Sequence, residues 1–146
     1  MQYRSKSVTE TQMFAAKLAA KVSAFKRLNR ATVIALEGEL GAGKTTFVKA
    51  FAKALGVKQH ITSPTFVLMK SFTLHASRFT QLVHIDAYRL KDHRDLLPLG
   101  IKALLAAPGN LILIEWAERV VRVLPKKHIT VHMDHIDEHT RQITIK

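Results

Sequence analysis

The chain has 146 residues, about the length of one ordinary domain, with 47% hydrophobic and 23% charged residues and no cysteine. That composition excludes a disordered chain, a disulfide scaffold, a thiolate metal site and a cysteine nucleophile, and no apolar run approaches the ~18 residues that a membrane helix needs. Lysine and arginine number 23 against 11 acids, a net charge of +12, so the surface favours polyanions such as nucleotides, RNA or acidic protein patches.

Met1 to Ser7 is polar and leads straight into a helical pattern, so no signal peptide is expected and the chain reads as cytoplasmic. Ser7-Val8-Thr9-Glu10 has the form of a capping box. Met13, Phe14, Leu18, Val22 and Phe25 then recur at helical spacing, and the helix is expected to end near Asn29. Lys17, Lys21, Lys26, Arg27 and Arg30 lie on it or just beyond it, opposite the apolar stripe. Thr32 to Leu36 is a β-branched, nearly continuous apolar run, as in a strand buried on both faces. Gly38 to Gly43 is a glycine-rich turn. From Lys44, a second helix is expected to bury Phe47, Val48, Phe51, Ala54 and Leu55 and to stop at Gly56.

Ser63-Pro64-Thr65 interrupts regular structure. Phe66 to Leu74 and Gln81 to Ile85 read as strands around a polar turn at Ala76 to Phe79. Asp92 to Ala107 holds one or two short helices broken near Pro98 and Gly100. Leu111 to Ile114 is a second buried-type strand, ending at Glu115-Trp116. Ile129 to Met133 and Arg141 to Ile145 are expected to pair as a hairpin. Strands alternating with helices imply an α/β domain over residues 1–146 around a mixed, largely parallel sheet with layers of helix on both faces.

Gly38-Glu39-Leu40-Gly41-Ala42-Gly43-Lys44-Thr45 matches G-x-x-x-x-G-K-[ST] between a buried strand and a helix. Such glycines let successive N–H groups turn inward onto phosphate oxygens, and the helix presents its positive end to the same anion. Glu39, Leu40, Gly41, Ala42, Gly43, Lys44, Thr45 and Thr46 are the expected ATP cradle. Lys44, read as a solvent-facing loop lysine, reaches the outer phosphates, and the Thr45 hydroxyl binds Mg²⁺. A metal-holding acid usually ends a neighbouring strand; Asp86 and Glu115 both do. Ser63 and Thr65 sit where, in many P-loop hydrolases, a hydroxyl senses the terminal phosphate, and equally where Pro64 would fix an ordinary turn. Trp116, the only tryptophan, reads as core. His128, His132, His135 and His139 do not share a face if Ile129 to Met133 is a strand, so they are not read as a metal site.

The combination of Gly38 to Thr46, Ser63-Pro64-Thr65-Phe66, His84-Ile85-Asp86-Ala87-Tyr88-Arg89-Leu90, Gly100-Ile101, Leu113-Ile114-Glu115-Trp116 and Leu124-Pro125, in this order, resembles the TsaE (YjeE) family over about Ser7 to Val131. These are small P-loop ATPases of bacterial tRNA threonylcarbamoyladenosine synthesis. The resemblance implies a three-layer P-loop NTPase-like fold and an ATP- and Mg²⁺-dependent ATPase that works with TsaD and TsaB after TsaC has made threonylcarbamoyl-adenylate. Hydrolysis would reset the TsaD–TsaB complex between turnovers, and tRNA would be met through that complex. It implies Lys44 as the loop lysine, Thr45 as the Mg²⁺ ligand, Asp86 as the strand-end aspartate, Glu115 as a Walker-B-like glutamate, and Ser63 and Thr65 as switch-like residues. The expected catalytic set is thus Lys44, Asp86 and Glu115, and the metal set Thr45, Asp86 and Glu115. Glu39 replaces the family's usual aspartate, Arg94 stands where an acid is usual, and the charge is unusually high for the family. A small-molecule P-loop kinase and a nucleotide-regulated basic RNA-binding module are the rivals. The kinase lacks an acceptor-binding pattern, and the RNA module leaves the loop idle.

Overall fold

The apolar run at Thr32 and the matching run at Leu111 form adjacent parallel strands, each buried on both faces, and the rest of the fold is layered on them. A computed structural model describes residues 1–61 and 68–146. In chain order the elements are β1 (Gln2–Ser5), α1 (Val8–Ser23), β2 (Thr32–Glu37), α2 (Lys44–Ala54), β3 (Met69–Thr73), β4 (Gln81–Asp86), α3 (Ile101–Ala106), β5 (Asn110–Glu115), β6 (Ile129–His135) and β7 (Arg141–Ile145). Two 3-10 segments, His93–Leu99 and Ala117–Val123, follow β4 and β5.

Among the described residues the strands form one sheet in the order β1-β7-β6-β2-β5-β4-β3. The central four, β6-β2-β5-β4, are parallel; β3 and β7 run antiparallel to them, and β1 pairs antiparallel with β7. The sheet is therefore mixed, with its parallel pairings concentrated at the centre. Period-two alternation divides its side chains. Ile34, Leu36, Leu82, Leu111 and Leu113 face α1 and α2, whereas Val33, Ala35, Val83, Ile85, Ile112 and Ile114 face the 3-10 segments and α3. This is the expected three-layer arrangement. On the first face α2 buries Phe47, Val48 and Phe51, and truncating either phenylalanine should cost about 3–5 kcal/mol.

Several boundaries differ from expectation. The capping box forms, but its return arm is displaced: Ser7 Oγ accepts from Glu10 N at 3.1 Å, while Glu10 Oε2 accepts from Lys6 N at 2.7 Å. Helix α1 stops at Ser23 rather than near Asn29, and Arg78 caps the frayed end by donating to Val22 O at 3.2 Å. The cation there suits the negative end of the helix dipole. The buried stripe is Thr11, Ala15, Leu18, Ala19 and Val22; Met13 and Phe25 are exposed because they point away from α2. Strand β1 was not expected, since Gln-Tyr-Arg-Ser carries no apolar alternation. It forms because β7 offers an open edge, and the buried Ser5 and Thr11 hydroxyls, 2.7 Å apart, tie it to α1. Residues 101–106 form the helix expected after Gly100, whose φ of +77° breaks the preceding 3-10 turn. No helix among the described residues is long and apolar enough to cross a membrane.

Candidate active site

Parallel strands deliver their following loops to one sheet edge. Here the ends of β2, β4 and β5 open on a cavity of about 500 Å³, lined by the loop before α2, by Asp86, Tyr88 and Arg89 after β4, by Glu115 and Trp116 after β5, and by Arg141 of β7. The loop depends on its glycines. Gly38 has φ +134°, and a Cβ there would run into the Met133 carbonyl of β6. Gly43, at φ +97°, caps α2 without any side-chain acceptor, and the first turn of α2 holds no acid. The open N–H groups and positive dipole of an 11-residue helix are therefore left to the cavity.

Lys44 is only 5% exposed, which corrects its reading as a solvent-facing side chain. Its Nζ donates to Gly38 O at 2.5 Å and Glu39 O at 2.8 Å, and lies 3.9 Å from the centre of the Trp116 ring. The amine thus folds back over the loop onto neutral acceptors and an aromatic face. Burial holds its pKa below the ordinary lysine value, opposed by the nearby carboxylates of Glu118, Glu115 and Asp86.

Asp86 and Glu115 are register partners on β4 and β5, so both carboxylates leave the same end of the sheet on the α2 side. Glu115 is fixed through both oxygens. Thr45 Oγ1 donates to Oε1 at 3.0 Å, and His84 Nε2 lies 2.6 Å from Oε2. An ionised carboxylate can only accept, so the buried ring is held as its Nε2–H form. With its proton turned to Glu115, the Thr45 hydroxyl keeps its lone pairs for the cavity side. Asp86 Oδ1 accepts from Tyr88 N at 3.0 Å. Burial raises the Asp86 pKa; the Tyr88 N–H bond opposes this, Glu115 adds to it, and His84 and Lys44 also oppose it.

The structure thus gathers Lys44, Thr45, Asp86 and Glu115 about one cavity, with Leu40, Gly41, Gly43 and Thr46 on its wall. Glu39 contributes its backbone carbonyl to Lys44, and Ala42 is fully buried beneath the loop. Ser63 and Thr65 lie outside the described residues.

Besides Leu68 and Tyr88 on the cavity wall, four residues matter to the site that sequence reasoning left out of it. His84 is two positions before Asp86, hence on the same strand face, which was the available signal. Trp116, read as core, is only half-buried: its φ of +58° turns the ring over Lys44 and against Tyr88, with centroids 4.9 Å apart. Arg89 lines the cavity from the Tyr88-Arg89 step. Arg141 arrives through the β6–β7 hairpin, donating to Gly41 O at 3.2 Å, and nothing local in the sequence announces it. Among the described residues no three histidines or acids cluster as a metal site, and His132 is instead engaged by Asp134 at 3.0 Å. Arg94 forms a two-pronged pair with Asp92 at 2.7–3.2 Å. That bond holds the Asp92 carboxyl well below the usual range.

Comparison with known proteins places this geometry in a family. The family described as threonylcarbamoyl adenosine biosynthesis protein TsaE matches residues 5–143. The tRNA threonylcarbamoyladenosine biosynthesis protein TsaE of Treponema pallidum is 38% identical over 118 residues, 81% of this chain and 84% of the relative. The protein of the same name from Rickettsia bellii is 36% identical over 140 residues, covering 95% of this chain and 90% of its own length. The crystal structure of Bacillus subtilis YdiB superposes with a TM-score of 0.74 at 30% identity, over 99% of this chain and 83% of that one. The chain belongs to the TsaE family of threonylcarbamoyl adenosine biosynthesis proteins.

Proposed function

We propose that the chain is a Mg²⁺-dependent ATPase of tRNA threonylcarbamoyladenosine biosynthesis, acting in the cytoplasm with TsaD and TsaB and resetting that complex between turnovers. The observation that carries this is the convergence of Lys44, Thr45, Asp86 and Glu115 on one cavity beneath an uncapped helix N-terminus. The donors suit the ligands. Inward N–H groups and a buried ammonium fit polyphosphate, and hydroxyl and carboxylate oxygens fit a hard cation that keeps several waters. When bound, the metal would neutralise charge shared between the outer phosphates.

The remaining work falls to side chains. Lys44 leaves two neutral carbonyls for phosphate oxygens. Thr45, Asp86 and Glu115 would hold the metal, Thr45 directly through its hydroxyl and at least one carboxylate through water. Glu115, braced by His84, also orients the attacking water, so it governs turnover more than binding. The start of α1 flanks the far side of the loop, where Val8, Thr11, Thr46 and Arg141 line a second, smaller cavity suited to the nucleobase.

A small-molecule kinase usually closes arginines over ATP; Arg89 and Arg141 stand at the cavity, but Arg94, a few residues beyond Arg89, is held by Asp92. The deciding experiment follows γ-phosphate with the chain alone and with TsaD–TsaB added. Release to water, slow alone and faster with TsaD–TsaB, is the expected result. Transfer to a small acceptor, or no effect of TsaD–TsaB, would contradict it.

A further inference from the structure

The acids gather at one end of the sheet, whereas cations stand at both. All 11 acids of the chain lie toward the loop end. Glu37, Asp86, Glu115 and Asp134 stand at or next to the last positions of parallel strands. The others follow those exits, sit in the β6–β7 hairpin, or occupy the first turn of α1. The segments that enter the strands at the opposite end, 24–31, 74–80 and 124–128, carry Lys26, Arg27, Arg30, Arg78, Lys126 and Lys127 and no acid.

These segments enclose a groove of about 240 Å³ whose apolar lining is Phe25, Leu28, Val33 and Ile129. Phe25 and Leu28 are each 42% exposed. The cations around it are set in place without counter-charge. Arg30 donates to Ala31 O at 2.9 Å and Lys127 O at 2.6 Å, and Arg78 donates to Val22 O at 3.2 Å, all neutral acceptors. Among the described residues Arg78 Nε has no partner at all. Burial, with Arg27 close by, pushes the Arg78 guanidinium below its ordinary value.

We propose that this groove docks an acidic protein segment anchored by one large apolar side chain. Exposed Phe25 and Leu28 beside Val33 and Ile129 call for an apolar anchor. Oriented, un-neutralised guanidinium and ammonium groups around them call for carboxylates. An aliphatic side chain needs no polar partner against Val33 and Ile129, whereas a nucleobase there would have to turn its polar edge to Thr32, His128 or the rim cations, which favours peptide over RNA. The groove lies at the start of β2 and the glycine loop at its end, roughly 17 Å away by strand rise. Docking there leaves the nucleotide cavity open, and the proposal stands whether or not ATP is the cavity's ligand.

The test is fluorescence anisotropy of the full chain with three labelled probes: a blocked peptide of aspartate and glutamate interleaved with leucines, the same peptide with serines for leucines, and a single-stranded RNA oligonucleotide of equal charge. The leucine peptide should bind at least about tenfold more tightly than the serine peptide, a difference of about 1.4 kcal/mol. A Phe25→Ser/Leu28→Ser variant should abolish that difference, and a Lys26→Glu/Lys127→Glu variant should weaken both peptides about tenfold or more. Both variants change exposed side chains, and they should keep the thermal unfolding and nucleotide hydrolysis of the unaltered chain. Equal binding of the two peptides, no peptide binding, or RNA that binds more tightly than the leucine peptide and is weakened by Phe25→Ser would each overturn the proposal. The peptide comparison on the unaltered chain stands even if a variant fails to fold.

Discussion

At the loop end of the sheet, Lys44, His84, Asp86 and Glu115 are all buried, and each is held by a specific polar partner. At the basic end, Lys26, Arg27, Lys126 and Lys127 are exposed, and the two better-fixed arginines rest on carbonyl oxygens. Desolvation is the difference. Buried charges cost several kcal/mol unless partnered, so the loop end has to give each of its charges a partner, and under the proposed function nucleotide and Mg²⁺ would add to them. Exposed charges cost little and are screened by salt, so the basic end acts through attraction rather than fine geometry. Substitutions should accordingly act locally and chemically at one end and mildly at the other.

The largest expected effect is at Lys44. Lys44→Ala should lower ATP turnover by about 10²–10³-fold, the scale for losing one preorganised charge-stabilising donor. Glu115→Gln should lower kcat by a similar order while leaving nucleotide affinity within a few-fold, since the amide keeps an oxygen for Thr45. A binding loss as large as the kcat loss would give Glu115 a binding role instead. Next is a pair of glycines. Gly38→Ala places a Cβ against the Met133 carbonyl at a φ only glycine adopts readily, and should cost more than about 2 kcal/mol in chemical denaturation. Gly56→Ala, at φ +90° with open space around it, should cost only about 1 kcal/mol. Equal losses would mean that the loop is not the tighter end.

The legible part of the molecule was the part with strong local physics. The runs at Thr32 and Leu111 are too continuous for a half-exposed strand, and a glycine loop between strand and helix has few other uses. Gly56 was legible for the same reason: its N–H bonds Lys53 O and that of Val57 bonds Ala52 O, the helix-ending pattern glycine favours. What was not legible depended on distant partners. Strand β1 exists because β7 has an edge to fill. Arg141 reaches Gly41 across 100 residues of chain. Helix α1 ends early, with Arg78 from a distant turn on its Val22 carbonyl, and Phe25, assigned to the helix stripe, becomes groove lining. Lys44 was placed in solvent because a lone lysine carries no sign of the Trp116 ring that covers it.

A smaller effect concerns pH. Burial raises the folded-state pKa of Asp86 above its unfolded value of 3.8. The folded chain therefore holds this proton more tightly, and its stability falls as pH rises from that value through the raised pKa. Asp86→Asn removes the penalty. The variant should gain thermal stability over the unaltered chain as pH is raised from 4 to 7, even as it loses Mg²⁺-dependent turnover. A constant difference across that range would mean that Asp86 pays no desolvation cost.

Titration calorimetry with ATP bears most directly on the division of labour between the two ends. In Mg²⁺, the unaltered chain and the Lys26→Glu/Lys127→Glu variant should each bind one ATP with similar affinity, and Lys44→Ala should bind it at least about tenfold more weakly, a difference of about 1.4 kcal/mol. Binding that survives Lys44→Ala, or that disappears with the Lys26→Glu/Lys127→Glu pair, would put the nucleotide somewhere other than the cavity at the head of α2.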